Sequence, residues 1–341
     1  MKSLRRHGKK INRVLVTGGA GFIGANFIRH LHRTFPDLEI VNYDKLTYAG
    51  NPENLNGIGD RYRFIKGDIC DQTVMHPSLA DGVEVVVNFA AETHVDRSIH
   101  DPGEFIMTDV YGVFVILEGI RRSANVRLFV HVSTDEVYGS IAEGAFRENS
   151  PLNPSSPYAA SKAGGDRLAY SYHKTYGMPL IIVRPANNYG PFQYPEKLIP
   201  FFVTSALQDK PLPVYGNGTN RRDWLFVEDT ARGIVTLIQA GAEGEVYNMG
   251  GGQELTNIDV TRRILECLNK PESLIRYVPD RLGHDFRYAL DWEKLSCLGW
   301  RPQVDFSAGL ARTVRWYQQN AGWWQRLIKK REFQEHLKKN Y

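Results

Sequence analysis

A glycine-rich turn in the segment VLVTGGAGFIGANF most constrains what this chain can fold into. Gly18, Gly21 and Gly24 are spaced three residues apart, between an apolar strand pattern at 13–17 and a helical pattern at 22–34. Glycines at this spacing let the backbone turn tightly and approach a pyrophosphate, which the free N–H groups and the dipole of the following helix stabilise. The segment therefore predicts a dinucleotide-binding strand–turn–helix unit.

Strand and helix patterns alternate through the first half of the chain. Helical patterns lie at Phe22–Thr34, Glu104–Arg122 and Tyr158–Tyr176. The strand patterns are short, and several are apolar on both faces, as in a sheet that helices cover on both sides. They lie at Arg13–Thr17, Glu39–Tyr43, Tyr62–Lys66, Glu84–Phe89, Arg127–Ser133 and Leu180–Arg184. This alternation predicts an α/β fold with a Rossmann-type, doubly wound parallel sheet.

The alternation stops near residue 190, where Pro and Gly become frequent. We therefore predict a dinucleotide-binding domain at 12–190, to which 222–250 returns, and a smaller mixed α/β substrate-binding lobe at 191–330. Residues 1–11 are basic, and we expect a disordered tail there.

Composition excludes several classes of protein. The net charge is only +4 over 341 residues, and much of the excess lies at the two termini, which argues against a nucleic-acid reader with a basic stripe. Cys70, Cys267 and Cys297 are an odd number without a C-x-x-C pair, so we expect reduced thiols in the cytoplasm and no structural metal site. No apolar run reaches the ~20 residues of a membrane span, and no apolar segment of a signal peptide follows the basic start.

An acidic residue at the end of the second strand predicts which dinucleotide binds. Asp44 lies twenty residues after Gly24, where a carboxylate accepts hydrogen bonds from a ribose hydroxyl and repels a 2′-phosphate. We therefore expect NAD rather than NADP, although Lys45 follows directly and works against this preference. Asp68, after the third strand, is placed to reach the adenine.

Tyr158 and Lys162 are four residues apart on a predicted helix and therefore share one face. A free tyrosine titrates near ~10, too high for a base at neutral pH. A neighbouring ammonium and the positive nicotinamide ring stabilise the phenolate and lower its pKa. Tyr158 could then remove the proton of an alcohol during its oxidation. A Y-x-x-x-K spacing is common by chance, and it gains meaning here from the nucleotide site before it.

Two adjacent carboxylates, Asp135 and Glu136, follow an apolar strand in the segment STDEVYG. Like charges repel, so a surface turn gains little from such a pair. At the carboxyl edge of a parallel sheet, the two groups can instead act as acid and base on one substrate. Repulsion in a partly dry site then separates their pKa values, which keeps one protonated and the other ionised.

These motifs together resemble the extended short-chain dehydrogenase/reductase superfamily and, within it, the dTDP-glucose 4,6-dehydratases. The resemblance runs from about residue 12 to the Trp-rich tail. It rests on DKLTYAGN (44–51), AAETHVDRSI (90–99), STDEVYG (133–139), NNYGPFQYPEKLIP (187–200), RRDWLFVED (221–229) and PDRLGHDFRYAL (279–290). Relatives that epimerise or decarboxylate nucleotide sugars usually lack the Asp-Glu pair.

The resemblance implies an NAD-dependent hydro-lyase reaction on dTDP-glucose that gives dTDP-4-dehydro-6-deoxyglucose. Tyr158 would assist oxidation at C4, with Lys162 beside it and Thr134 bonded to the 4-hydroxyl. Glu136 would take the C5 proton, and Asp135 would protonate the departing C6 hydroxyl. Since C5 and C6 are bonded neighbours, base and acid must lie within one sugar's width.

The resemblance also implies two sets of binding residues and no metal. On the cofactor side these are Gly18, Gly21, Phe22, Ile23, Gly24, Asp44, Lys45, Leu46, Thr47, Asp68, Ile69, Ala90, Ala91, Thr93, Thr108, Tyr158, Lys162 and Asn188. On the substrate side they are Thr93, Thr134, Asn187, Lys197, Leu198, Pro213, Tyr215, Arg222, Asn257, Arg281 and His284, with the two arginines on the diphosphate. Pro185, Ala186 and Thr93 depart from the family's usual residues near the nicotinamide or the substrate, but these departures remove no catalytic group.

Two alternatives stay open at this point. The same chemistry could act on a UDP-, CDP- or GDP-sugar, because one sequence does not reveal the contacts to the base. A non-catalytic NAD-binding sensor would have no need of all four residues Tyr158, Lys162, Asp135 and Glu136. The resemblance further implies a place in deoxysugar biosynthesis, such as that of rhamnose, and a homodimer formed through 104–122 and 158–176.

Overall fold

A computed structural model describes residues 3–280 and 283–340. Its main sheet is parallel throughout and has the strand order β12-β8-β7-β6-β3-β4-β5. These strands are β3 (Arg13–Thr17), β4 (Glu39–Asp44), β5 (Tyr62–Lys66), β6 (Val85–Asn88), β7 (Leu128–Val132), β8 (Leu180–Pro185) and β12 (Val246–Met249). The predicted α/β fold with a doubly wound parallel sheet is confirmed.

Helices cover both faces of this sheet, and successive side chains of a strand enter different cores. Val14 and Val16 of β3 pack against α1 (Phe22–Thr34) and α8 (Val227–Ala240). Leu15 points to the opposite face, into a core formed with α2 (Gln72–Ala80), α5 (Val113–Arg122) and α6 (Pro157–Tyr176). This alternation follows from the two-residue period of a strand, and it explains why the central strands are apolar on both faces.

The helix predicted at Glu104–Arg122 is interrupted. It consists of α4 (Pro102–Ile106), a π-helical turn (Met107–Gly112) and α5, and the short helix α3 (Val95–His100) precedes it. Helix α6 packs closely against the π-helical turn, because a Cβ at Gly165 would lie 2.3 Å from the carbonyl oxygen of Asp109. The close packing turns the Asp109 side chain towards Ser161 on α6.

The rest of the chain forms a second core of aromatic and aliphatic side chains. Its sheets are a parallel pair, β10 (Leu212–Tyr215) with β14 (Ile275–Val278), and a three-stranded sheet in the order β13-β11-β9. The latter contains β9 (Asn187–Tyr189), β11 (Arg221–Phe226) and β13 (Glu254–Thr256). The helices are α7 (Leu198–Ala206), α9 (Asn257–Leu268), α11 (Phe306–Gln319), α12 (Ala321–Ile328) and α13 (Arg331–Asn340). Helix α10 (Glu293–Ser296) packs instead on the core of the main sheet, where Leu295 is buried.

The segment 222–250 contributes to both parts of the molecule. Its strand β12 pairs with β8 in the main sheet, and Ile234 and Leu237 of α8 lie in the core under that sheet. Its strand β11, in contrast, pairs with β9 and β13 outside the main sheet. These contacts agree with a chain that returns to the first domain, while the exact division at 190 and 191 stays a prediction.

The expected disordered tail at 1–11 is wrong for the described residues 3–11. They contain an antiparallel hairpin, β1 (Arg5–Arg6) with β2 (Lys9–Lys10). Arg6 is buried, donates to the carbonyls of Ile238 and Gly241 at 3.1 Å each, and forms an ion pair with Glu243. A count of basic residues cannot reveal such partners, because they lie more than 230 positions away in the sequence.

Candidate active site

The predicted site residues converge at the carboxyl edge of the main sheet, as expected for this class of fold. One deep cleft is lined by the glycine-rich turn after β3, by Asp44 at the end of β4, and by the residues that follow β6 and β7. Tyr158 and Lys162 of α6 complete its wall. The cleft is lined by all the residues predicted on the cofactor side except Leu46, whose backbone N–H donates to Asp44 Oδ1 at 2.8 Å.

The glycine-rich turn is shaped for close approach of a ligand. Gly18 has φ +66°, and a Cβ there would lie 2.6 Å from the backbone nitrogen of Ala90. A Cβ at Gly24 would lie 2.4 Å from the carbonyl oxygen of Gly18. Both positions therefore exclude a side chain, and helix α1 begins directly after Gly21 with no side-chain cap on its free N–H groups. This cradle fits the pyrophosphate of a dinucleotide.

Asp44 lies at the other end of the turn and is buried. Its Oδ2 accepts a hydrogen bond from the N–H of Ala20 at 2.9 Å. The two carboxylate oxygens together have four acceptor positions, so the bonds from Ala20 and Leu46 leave capacity for a ribose hydroxyl. The charge of Lys45 is already paired, because its Nζ forms an ion pair with Asp68 Oδ2 at 2.7 Å.

This geometry predicts a strong preference for NAD over NADP. A 2′-phosphate would meet the Asp44 carboxylate, while Lys45 is held by Asp68. We expect Asp44→Ser to weaken NAD binding and to reduce the discrimination against NADP by about tenfold or more, the effect of ~1.4 kcal/mol. Titration of both dinucleotides measures this, with Lys45→Ala as the matched control. Equal affinities of the unaltered protein for NAD and NADP would contradict the prediction.

The two adjacent carboxylates lie in a 3₁₀ turn (Asp135–Tyr138) directly after β7. Thr134 caps this turn, because its Oγ1 accepts the N–H of Glu136 at 3.3 Å, and it also donates to Asp135 Oδ1 at 3.3 Å. Asp135 is only 3% exposed. Burial, and then the negative charges of Glu136 and Asp223, raise the pKa of Asp135 well above its usual range, against the opposing effect of Arg222. A carboxyl whose pKa is raised in this way is suited to act as an acid.

Tyr158 and Lys162 lie beside this pair, although their electrostatics differ from the sequence expectation. Lys162 is buried, and its Nζ donates to the carbonyl oxygen of Val132 at 2.9 Å. Burial and the charges of Glu136 and Asp109 raise the pKa of Tyr158 well above its usual value, while a hydrogen bond with Thr134 lowers it. Lys162 therefore does not by itself bring Tyr158 into the range of a base. The positive nicotinamide ring is the second charge on which that expectation depended.

A second cleft adjoins the first, and Glu136, Asn187 and Lys197 line both. It is also lined by Leu198, Pro213, Tyr215, Arg222, Asn257 and His284, all predicted on the substrate side. Thr93 and Thr134 line the first cleft, and the Lys197 ammonium donates to the carbonyl oxygen of Thr93. Arg281 lies outside the described residues.

Two buried amide oxygens in the second cleft can accept hydrogen bonds from a ligand. The Oδ1 atoms of Asn187 and Asn257 are buried and have no hydrogen-bond partner among the described residues, a costly arrangement unless a ligand or water supplies a donor. Arg222 is held in place, because its guanidinium donates to the carbonyl oxygen of Asp285 at 3.0 Å and lies over the ring of Tyr288. Its position beside Asp135 and Glu136 brings a positive charge to the acid–base pair.

Sequence reasoning missed several residues of the first cleft. Glu196 and Tyr48 line it and bond to each other at 2.9 Å, and Arg97 forms an ion pair with Glu196 at 2.9 Å. Glu92 also lines the cleft, and burial together with the charge of Asp109 raises the pKa of Glu92 to about 7. All four of these residues lie within segments that carried the family resemblance, so that signal could have identified them.

No helix of the described chain is long and apolar enough to cross a membrane. Within the same residues no group of three His, Cys, Asp or Glu side chains could hold a metal ion.

Comparison with known proteins agrees with this geometry. Residues 15–313 match the family model described as GDP-mannose 4,6 dehydratase. The dTDP-glucose 4,6-dehydratase of Streptomyces niveus is 51% identical over 322 residues, covering 92% of this chain and 95% of the relative, and that of Escherichia coli is 44% identical, covering 93% and 96%.

Solved structures agree as well. DesIV, the dTDP-glucose 4,6-dehydratase of Streptomyces venezuelae, was crystallised with NAD bound. Its structure has a TM-score of 0.90 at 52% identity, with 92% of this chain and 99% of that chain covered. The UDP-glucose 4-epimerase of Thermus thermophilus, in complex with NAD, has a TM-score of 0.84 at 31% identity, with 90% of this chain and 99% of that chain covered. The higher identity lies with the dehydratases, and this chain belongs to the dTDP-glucose 4,6-dehydratase family.

Proposed function

We propose that this protein is an NAD-dependent dTDP-glucose 4,6-dehydratase, a hydro-lyase that converts dTDP-glucose to dTDP-4-dehydro-6-deoxyglucose. One observation carries the proposal: the Tyr158–Lys162 pair and the Asp135–Glu136 pair meet where a cleft shaped for a dinucleotide adjoins a second cleft, and Glu136 lines both. Relatives that are 44–51% identical bear this name, which supports dTDP-glucose over UDP-, CDP- and GDP-sugars.

The reaction begins with oxidation at C4 of the sugar. NAD, when bound in the first cleft, accepts the hydrogen of C4 with its electron pair and later returns it to C6, so the overall reaction is redox-neutral. Tyr158 removes the proton of the 4-hydroxyl. Thr134, which is hydrogen-bonded to Tyr158, orients that hydroxyl. Lys162, fixed on the carbonyl of Val132, keeps a positive charge beside the phenolate.

Elimination follows, because the new C4 ketone makes the C5 proton acidic. Glu136 takes that proton while Asp135, held protonated by burial and by the charge of Glu136, gives its proton to the C6 hydroxyl, which leaves as water. Glu136 returns its proton to C5 when C6 becomes a methyl group. The proton that Tyr158 takes from the 4-hydroxyl balances the one that Asp135 loses, so one water is removed in total.

The second cleft binds the rest of the nucleotide sugar. Arg222 supplies positive charge for the diphosphate, because a guanidinium matches phosphate oxygens in geometry. Lys197, at the junction of the two clefts, adds a further positive charge beside the sugar. The unpartnered Oδ1 atoms of Asn187 and Asn257 accept hydrogen bonds from the ligand. Arg281 is assigned to the diphosphate by resemblance only.

The test of this function is turnover of dTDP-glucose by the purified protein with NAD, followed by the absorbance of the 4-keto product in alkali. We expect turnover of dTDP-glucose and little of UDP-, CDP- or GDP-glucose. Faster turnover of one of those sugars would replace the substrate assignment. NAD binding without turnover of any nucleotide sugar would favour the sensor.

A label at C4 tests the return of hydrogen within one catalytic cycle. We expect dTDP-glucose with deuterium at C4 to give product with deuterium in its C6 methyl group and no accumulation of NADH, because an open site would release a reactive enone. A mixture of this substrate with unlabelled, carbon-13-marked dTDP-glucose should show no crossover by mass spectrometry. Deuterium in free NADH, or in the marked product, would indicate an ordinary dehydrogenase or a cofactor that exchanges in each cycle.

The surface of α4, α5 and α6 supports a homodimer. Large apolar side chains are exposed there, at Ile106, Met107, Tyr111, Phe114 and Tyr176. The rings of Tyr111 and Phe114 contact each other, with 5.8 Å between their centroids, and an exposed apolar surface of this kind marks an interaction site. We assign it to a second copy of this chain, in agreement with the family resemblance. A cytoplasmic location, which the free thiols of Cys70, Cys267 and Cys297 suit, and a role in making rhamnose or a related deoxysugar are further parts of the proposal.

A further inference from the structure

A buried side chain outside the cofactor cleft holds the glycine-rich turn from behind. Asn54 is 1% exposed, and its Nδ2 donates to the carbonyl oxygen of Ala20 at 2.9 Å. Ala20 lies within the turn, between Gly18 and Gly21 of the cleft wall. The amide orientation of Asn54 is fixed, because its Oδ1 accepts from the indole Nε1 of Trp323, also at 2.9 Å, and an indole nitrogen can only donate.

Ala20 connects this contact to the ribose end of the site. Its carbonyl oxygen accepts from Asn54 Nδ2 and from the backbone N–H of Asn51 at 3.0 Å. Its own N–H donates to Asp44 Oδ2 at 2.9 Å. Ala20 is therefore held through its carbonyl oxygen by the Asn54 side chain and through its N–H by the predicted ribose carboxylate. The pyrophosphate cradle and Asp44 depend on the same fixed residue.

The far end of this chain of bonds lies in the C-terminal helices. Trp323 of α12 is 269 residues from Asn54 in sequence and is largely buried, with its ring packed against Phe192. Arg326, one turn later, forms an ion pair with Glu53. Tyr317 of α11 donates to the carbonyl oxygen of Gln193, which also lines the cleft. The C-terminal helices thus contact two segments next to the dinucleotide cleft.

We propose that Trp323 and Asn54 are positioning residues for the dinucleotide site: the indole N–H of Trp323 orients the Asn54 amide, which holds the glycine-rich turn through Ala20 in the conformation that binds the pyrophosphate. This inference rests on the proposed function through NAD binding. It gives helix α12 a role in retaining the cofactor. Without these two hydrogen bonds, binding of a dinucleotide would have to order the glycine-rich turn, and this would lower the affinity.

The chain offers a matched pair of variants for the test. Trp323→Phe removes the N–H that orients Asn54 and keeps most of the ring. Trp324→Phe makes the same change one position later, where the indole N–H donates at 2.9 Å to the carbonyl oxygen of Tyr317 within the C-terminal helices themselves. We expect Trp323→Phe to raise the Kd and the dissociation rate of NAD by about tenfold, the effect of ~1.4 kcal/mol. Trp324→Phe should leave both unchanged.

Binding of dTDP separates a positioning role from general destabilisation. In both variants, the affinity for dTDP, measured by calorimetry, should equal that of the unaltered protein, because this nucleotide occupies the second cleft. If Trp323→Phe does not fold, Asn54→Ala provides the same test with the indole in place, since it removes the donor to Ala20. Equal NAD dissociation from Trp323→Phe and Trp324→Phe, or a parallel loss of NAD and dTDP binding, would overturn the inference. Failure of the unaltered protein to bind NAD would instead refute the proposed function.

Discussion

Replacement of Glu136 by glutamine is expected to abolish exchange of the C5 proton with solvent deuterium. Glutamine keeps the size of the side chain and its place in the 3₁₀ turn after β7, and the bond from its backbone N–H to Thr134 is unaffected. It removes the only property that the proposal uses, a carboxylate that can accept a proton. Formation of the 4-keto-6-deoxy product should fall by the roughly 10²–10⁴-fold typical of a lost general base.

Oxidation at C4 should survive in part in this variant, since it depends on Tyr158 and Lys162. Single-turnover absorbance of NADH therefore provides the control, because the reduced cofactor should form and persist when elimination cannot follow. The charge of Glu136 also raises the pKa of Tyr158. Loss of this charge in Glu136→Gln should therefore lower the pKa of Tyr158 and should not impair proton removal from the 4-hydroxyl. Full dehydratase rates, or undiminished incorporation of deuterium at C5, would show that another group is the base.

Replacement of Asp135 by asparagine is expected to slow the loss of water by roughly 10²–10⁴-fold, because an amide cannot give a proton to the departing C6 hydroxyl. Asparagine is nearly isosteric, and its oxygen can still accept the hydrogen bond from Thr134. Exchange at C5 should continue in this variant, since Glu136 is intact. The two variants thus serve as controls for each other: Glu136→Gln stops exchange at C5, and Asp135→Asn permits exchange but slows elimination.

The pH dependence of elimination tests the same assignment. Burial and the charge of Glu136 raise the pKa of Asp135, so its acid form persists to a higher pH than that of an ordinary aspartate and is lost as the pH rises through that raised value. The rate of water loss should therefore decline on the alkaline side in the unaltered protein. In Asp135→Asn this alkaline decline should disappear from the residual rate. A decline that persists in Asp135→Asn would assign the acid to a different group.

Local sequence determined the parts of this protein that depend on short-range geometry. Gly18 and Gly24 leave no room for a side chain, so their spacing alone predicted the turn after β3. Helix α6 was predicted within one residue, and local features set its ends: Ser156 caps its start, and Gly177, with φ +65°, ends it. Its helical period then placed Tyr158 and Lys162 on one face. The Asp135–Glu136 pair was located by the end of an apolar strand.

Only the tertiary structure decided what surrounds these residues. The π-helical turn that splits 104–122 places Asp109 against Ser161, and the charge of Asp109 acts on Tyr158. Arg6, in a segment that composition suggested was disordered, finds partners at Ile238, Gly241 and Glu243. In the same way, nothing local to Asn54 indicates that it bonds to Trp323.

The physical reason is the range of each interaction. Steric exclusion at a glycine, a helix cap and the period of a helix involve residues within a few positions, so a sequence specifies them directly. Burial and charge–charge energies depend on every group that folding brings near, and the low dielectric of the interior strengthens them. The sequence could therefore locate the acid, the base and the tyrosine. Which carboxyl stays protonated, and what holds the cofactor turn in place, is decided by contacts between segments up to 269 residues apart.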